Sequence, residues 1–182
     1  MRRQQPVPPH SGSAHPQITI RAFGSGDEPG LRQIFIRAIE GLTATDYDHR
    51  QRAAWAGTAT DIAAWNARIQ RLRPFIAMRG DVMAGYADLQ ADGLIDHFFV
   101  DAGHARRGVG GALMRHIEQQ AAQRSLSALH AHVSRSAEGF FATHGFTVDR
   151  RQTVHLDGVA LDNALMHKRV QPLPRSTRQQ RP

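Results

Sequence analysis

Phe98-Phe99-Val100-Asp101-Ala102-Gly103-His104-Ala105-Arg106-Arg107-Gly108-Val109-Gly110-Gly111-Ala112-Leu113 is the stretch on which the reading of this chain turns. It opens as an apolar strand, passes through a turn of small and basic residues, and enters a helix at about Gly108. The helix continues on one face through Val109, Leu113, Ile117 and Ala121, a repeat of four residues. Backbone N–H groups at a helix start lack intrahelical partners and carry the positive end of the dipole. Glycines let a ligand come close to the main chain, so the pattern suits an anion such as a diphosphate, with Arg106 and Arg107 adding charge at the rim. Two other phosphate loops are excluded. A Walker loop needs Lys and Ser/Thr after its second glycine, where Val109 and Gly110 stand, and a dinucleotide fingerprint needs glycine at Leu113.

Upstream, Ile18, Ile20 and Ala22 alternate as a strand, Asp27 and Pro29 suit a helix start, and Leu31, Ile34, Phe35, Ala38, Ile39 and Leu42 form one helical face. A second helical region runs from about Asp48 to Leu72 with a break near Gly57. Three strand-like runs follow, Arg73 to Met78, Val82 to Leu89 and Leu94 to Val100, joined by turns rich in Gly and Asp. Downstream come a strand over Ser127 to Val133, a short helix over Arg135 to Thr143, and two strands near Phe146–His155 and Leu161–Lys168 around Asp157-Gly158. The order predicts one α/β (α+β) domain over residues 17–170, a mixed, mostly antiparallel sheet with helices on both faces. Residues 1–16 and 171–182, rich in Pro, Gln, Ser and Arg, are expected to be disordered tails.

A chain of 182 residues with 41% hydrophobic residues can bury one core. No apolar run is long enough to span a bilayer and no secretory signal follows the first residues, so a cytoplasmic protein fits. The absence of cysteine excludes disulfides and thiolate catalysis. The net charge of +7 falls to about +2 for residues 17–170 once the five terminal arginines are set aside, which argues against specific nucleic-acid binding by the domain. His130 and His132 share a strand face but lack a third ligand at a recognisable spacing, so no metal is expected. Trp55 and Trp65 read as core residues rather than substrate platforms.

The loop from Arg106 to Gly111 resembles the acetyl-CoA-binding motif of the GNAT N-acetyltransferase superfamily, Gln/Arg-x-x-Gly-x-Gly/Ala, with Ala105 where the family usually has Gln or Arg. A second segment, Ser134 to Phe146, resembles the family's Ser/Asn-x-x-Ala-x-x-Phe-Tyr-x-x-x-Gly-Phe. Ile95 to Val100 and Arg150 to Val154 look most like the small bacterial acetyltransferases of the YafP type. The resemblance spans roughly residues 17–169.

The resemblance implies acetyl-CoA as cosubstrate, with transfer by direct attack of an amine on the thioester. Arg106, Arg107, Gly108, Val109, Gly110 and Gly111 would hold the diphosphate, the main chain of Phe98, Phe99 and Val100 the pantetheine arm, and Ser134 and Phe141 would lie against the cofactor. An alkylammonium with a pKa near 10.4 is neutral in only about one molecule in a few thousand at pH 7, so a base helps. Asp96 is the first candidate and His97 the second. Tyr47 and His132 are candidate acceptor contacts. Many relatives place a tyrosine acid where this chain has Phe141, which leaves Tyr86, Tyr47 or water for that role. The acceptor expected is a small-molecule amine, with a protein or peptide amine, or a non-catalytic acyl-CoA-binding module, as the alternatives. Dimerisation is common in the family, so a homodimer is compatible with the resemblance.

Overall fold

The computed structural model describes residues 17–170, and the two expected tails lie outside the described residues. β1 (Ile18–Ala22) leads into α1 (Glu28–Leu42), α2 (His49–Gly57) and α3 (Ile62–Leu72). Four strands follow, β2 (Phe75–Arg79), β3 (Val82–Ala87), β4 (Leu94–Ile95) and β5 (Phe98–Val100). A 3-10 turn at Ala102–His104 precedes α4 (Val109–Gln123), then β6 (Ala128–Ser134), α5 (Arg135–Thr143), β7 (Thr147–Leu156) and β8 (Val159–Arg169).

Most elements stand where side-chain spacing requires them. α1 buries Leu31, Ile34, Phe35, Ala38 and Ile39 along one stripe. α2 begins at a capping box in which the Asp48 carboxylate accepts from Gln51 N–H and the Gln51 side chain accepts from Asp48 N–H. Asp157 and Gly158 both have positive φ, 47° and 73°, as the tight β7–β8 hairpin demands. Two local expectations are corrected. Asp27 is not a side-chain cap for α1; its carboxylate turns back to accept from Arg21 at 2.6 and 2.8 Å and from Gly24 N–H at 2.8 Å. Arg73 does not start a strand but ends α3 in the left-handed conformation, its N–H donating to Ile69 O.

The larger finding is that the run Leu94–Val100 is two strands in two sheets. One sheet has the order β1-β2-β3-β5 and is antiparallel throughout. The other has the order β4-β6-β8-β7, with a parallel β4–β6 pair. Hydrophobic alternation cannot reveal this break, because it depends on which neighbour each half meets. Gly93 O accepts from His130 N–H at 3.0 Å, drawing Leu94–Ile95 to β6. Three residues on, His97 N–H donates to the Asp88 carboxylate at 2.5 Å and His97 O accepts from Asp88 N–H at 3.1 Å, returning the chain to β3. Asp96 and His97 bridge the gap.

Helices cover both faces of the first sheet. α4 packs Leu113, Met114, Ile117 and Ala121 into a core with Ala84 of β3 and Leu129 and Val133 of β6. On the opposite face α1 and α3 enclose Ile76 and Tyr86 with Phe35, Trp65 and Ile69. Gly85 permits the close approach of α4, since a Cβ there would stand 2.9 Å from Phe99 O and 3.0 Å from Val109 Cγ1.

Gly93 combines a φ of 90° with a backbone contact that leaves no room for a Cβ against the Ala128 carbonyl. Gly93→Ala should therefore cost about 2 kcal/mol or more, read from urea unfolding. A loss below about 0.5 kcal/mol would show that the β4–β6 junction adjusts freely.

Candidate active site

The loop between β5 and α4 presents a concave run of backbone amides. Arg106 adopts φ 57° and Gly108 φ 84°, two left-handed residues that turn the chain sharply into the helix. The first intrahelical bond runs from Ala112 N–H to Gly108 O at 3.0 Å. The N–H groups of Val109, Gly110 and Gly111 precede it and have no intrahelical acceptors; Gly110 and Gly111 line the adjoining cavity, while Val109 is buried. A Cβ on Gly110 would stand 3.2 Å from the Phe140 ring, so glycine keeps α4 and α5 close beside this mouth. The arrangement can accept an anion on its amides.

β5 hydrogen-bonds to β3 on one side only, and its other edge opens toward the end of β6. A cavity of about 520 Å³ occupies that opening, walled by Val100, Arg106, Gly108 and Gly110 on one side and by Ser134, Ala137 and Phe140 on the other. Ser134 is the N-cap of α5 yet makes no side-chain cap bond, so its hydroxyl is uncommitted within the helix. Phe141 is buried, its ring centroid 5.5 Å from Phe98 and 5.0 Å from Phe146. Arg107 is exposed at the rim of the loop.

A second cavity, of about 250 Å³, lies on the far side of the break and shares Trp55, Phe98, Phe99, Ser134, Ala137 and Phe141 with the first. Asp96 sits on its wall, with Oδ2 3.1 Å from Arg68 Nη2 and no hydrogen bond to Oδ1 among the described residues. His97 is buried between Phe35, Trp65 and Phe99, and its Nδ1 shares a 3.1 Å hydrogen bond with the Tyr86 hydroxyl. Burial, helped by the positive Arg68 and opposed by Asp96, pushes its pKa down to about 3. Burial likewise pushes the Asp88 carboxyl up to about 6, against the hydrogen bonds from His97 N–H and Gln90.

Tyr47 and His132 both reach this second cavity. The Tyr47 hydroxyl donates to Asp162 O at 2.6 Å and accepts from Arg135 N–H at 3.0 Å, tying β8 to the start of α5, while its ring forms wall. His132 Nδ1 accepts from Gln152 Nε2 at 2.9 Å. Several wall residues had no signal in the sequence: Arg68, which comes from α3, and Asp162 and Asn163, which come from β8. Trp65 is core, but Trp55 stands at the junction of the two cavities, and only the fold distinguishes the two indoles. Among the described residues no group of three His, Asp or Glu is placed to hold a metal ion, and no helix is long and apolar enough to cross a membrane.

Comparison with known proteins agrees with this geometry. Residues 43–163 match the family model described as an acetyltransferase (GNAT) domain. The chain is 30% identical over 154 residues to the uncharacterized N-acetyltransferase YafP of Escherichia coli, covering 85% of this chain and 97% of that one. It superposes with a TM-score of 0.82 and 32% identity on a solved GCN5-related N-acetyltransferase from Rhodopseudomonas palustris, covering 87% of this chain and 99% of that one. The fold is also that of the PaiA N-acetyltransferase of Thermoplasma acidophilum, solved in complex with coenzyme A, at TM-score 0.68 and 14% identity over 84% of this chain and 99% of that one. The chain belongs to the GNAT family of acetyl-CoA-dependent N-acetyltransferases.

Proposed function

We infer that the protein moves the acetyl group of acetyl-CoA to the amine of a small molecule by direct attack of the amine on the thioester. The observation that carries this reading is the pair of cavities meeting at the β4–β5 break, one bordered by the amide loop and the other by Asp96. The chain's own groups fit the cofactor. The amides of Val109, Gly110 and Gly111 suit its diphosphate, with Arg106 and Arg107 at the rim. The free edge of Phe98, Phe99 and Val100 suits the amides of its pantetheine arm, with Ser134 and Phe141 opposite. Bound acetyl-CoA supplies an acetyl group activated as a thioester.

The acceptor side is small. At about 250 Å³ it is about half the size of the other cavity, at about 520 Å³, and it is walled by Phe35, Trp55 and Phe99 among other rings. Asp96 places a carboxylate on its wall, paired on one oxygen only with Arg68, which suits a cationic amine. Asp96 takes the proton from that amine through its unbonded Oδ1. His97 is a poor base because its imidazole is held neutral with a pKa of about 3. Tyr47 and His132 frame the acceptor. Neither of the chain's two tyrosines is free to act as the acid, since Tyr47 is bonded to β8 and α5 and Tyr86 is sealed against His97. With neither tyrosine free, water would supply the proton to the departing thiolate.

A thiol-release assay with acetyl-CoA should give turnover on a panel of small primary amines and little on peptides bearing a free N-terminus or a lysine. The reverse preference would move the acceptor to the protein class. Asp96→Asn should lower kcat/KM about 100-fold while leaving the affinity for CoA unchanged. Retention of full rate would remove Asp96 as the base.

The buried pair His97 and Asp88 also sets an acid sensitivity. The folded His97 has a pKa of about 3, against about 6.5 when unfolded, so between those values the unfolded chain binds the extra proton and stability falls on acidification. Asp88 acts in the opposite sense between about pH 4 and 6, where its folded form keeps a proton that an unfolded aspartate has lost. The His97 interval is the wider of the two. Thermal melts should show little net slope in the wild type from pH 6 to 5, where the two oppose each other, while His97→Gln should gain stability on acidification over that interval. An unchanged slope in the variant would contradict the assignment.

A further inference from the structure

Arg37 and Asp101 take no part in the site as described, yet between them they fix where the amide loop begins. Asp101 is the residue between β5 and the loop and is 6% exposed. Its Oδ2 accepts from Arg37 Nε and Nη2, each at 2.6 Å, and its Oδ1 accepts from Gly103 N–H at 2.9 Å. Its backbone N–H donates to Ala84 O at 2.9 Å and its carbonyl accepts from His104 N–H at 2.8 Å. Every polar group of Asp101 is thus engaged, and its buried charge is compensated by a side chain of α1 alone among the described residues.

One helical turn further along α1, Gly41 faces the same loop. A Cβ on Gly41 would stand 2.7 Å from Ala102 Cβ. Glycine weakens a helix interior relative to alanine, so its presence there is accounted for by the closeness of the loop. α1 therefore meets the loop at two points, by an ion pair at Arg37 and by bare backbone at Gly41. Between them the helix turns Ala38 and Ile39 into the wall of the larger cavity.

We propose that Arg37 is a positioning residue for the acyl donor. Through Asp101 it sets the height of the Val109–Gly111 amides relative to β5, so that the donor's diphosphate and its pantetheine arm are held in register. Arg37 itself touches no substrate. The proposal rests on the reading that these amides take the diphosphate. It separates two parts of one ligand: loss of Arg37 weakens the hold on the diphosphate and spares the hold on the arm, which β5 binds through its own edge.

The test uses the full chain and two ligands, CoA by calorimetry and pantetheine, which lacks the diphosphate, by titration followed in ligand NMR. Arg37→Met should weaken CoA about tenfold, leave pantetheine unchanged, and be largely rescued in Arg37→Lys. Asp101→Asn should match Arg37→Met, and the double variant should be no worse than the worse single one, because both remove one interaction. Equal weakening of both ligands in step with a lower melting temperature would reduce Arg37 to a structural residue and overturn the proposal, as would unaltered CoA binding. A wild type that binds CoA no better than pantetheine would instead defeat the diphosphate reading of the loop, and this proposal with it.

Discussion

The bond from His97 N–H to the Asp88 carboxylate is the constraint on which the site depends, because it decides where one sheet ends and the other begins. At this bond the run Leu94–Val100 leaves β6 and returns to β3, and a cavity lies beside Phe98–Val100. β4 joins β6, β5 joins β3, and the free edge of β5 faces the start of α5. The carboxylate is deeply buried, so the fork is held by a group whose desolvation is only partly offset by the hydrogen bonds it receives. The same turn of chain leaves the Asp96 side chain on the wall of the smaller cavity and sends His97 inward among aromatic rings.

That inward placement separates two residues that adjacency in sequence made equivalent. Alternation assigned Asp96 and His97 to opposite faces, which is where they are, but it could not say which face was solvated. Packing against Phe35, Trp65 and Tyr86 answers the question. A histidine so enclosed stays neutral and shapes the core, whereas the aspartate keeps an oxygen available to a ligand. The protein thus combines a packed aromatic floor under the break with the Asp96 carboxylate above it.

Much of the fold was legible from local pattern. The spacing of Leu31 to Ile39, the turn at Asp157-Gly158 and the loop from Arg106 to Gly111 each carry their structure in neighbouring residues. Helix ends set by competition were not legible: Asp27 looked like a cap but is claimed by Arg21, whose position depends on β1 pairing with β2. The division into two sheets was hidden for the same reason. Within the site, the turn from Arg106 to Gly111 could be read from glycine placement, since free amides and close approach are local properties. The wall of the smaller cavity could not, because Arg68, Trp55 and Asn163 come from three elements that meet only in the folded chain.

If one break in the sheet creates both the free β5 edge and the mouth of the amide loop, CoA should occupy the two together. Backbone hydrogen–deuterium exchange of the full chain, with and without saturating CoA, tests this most directly. CoA should slow exchange in the segments covering residues 98–111 and 134–141, with no change in β1 or in the β7–β8 hairpin. Saturation by CoA with exchange unaltered across residues 98–111 would contradict it.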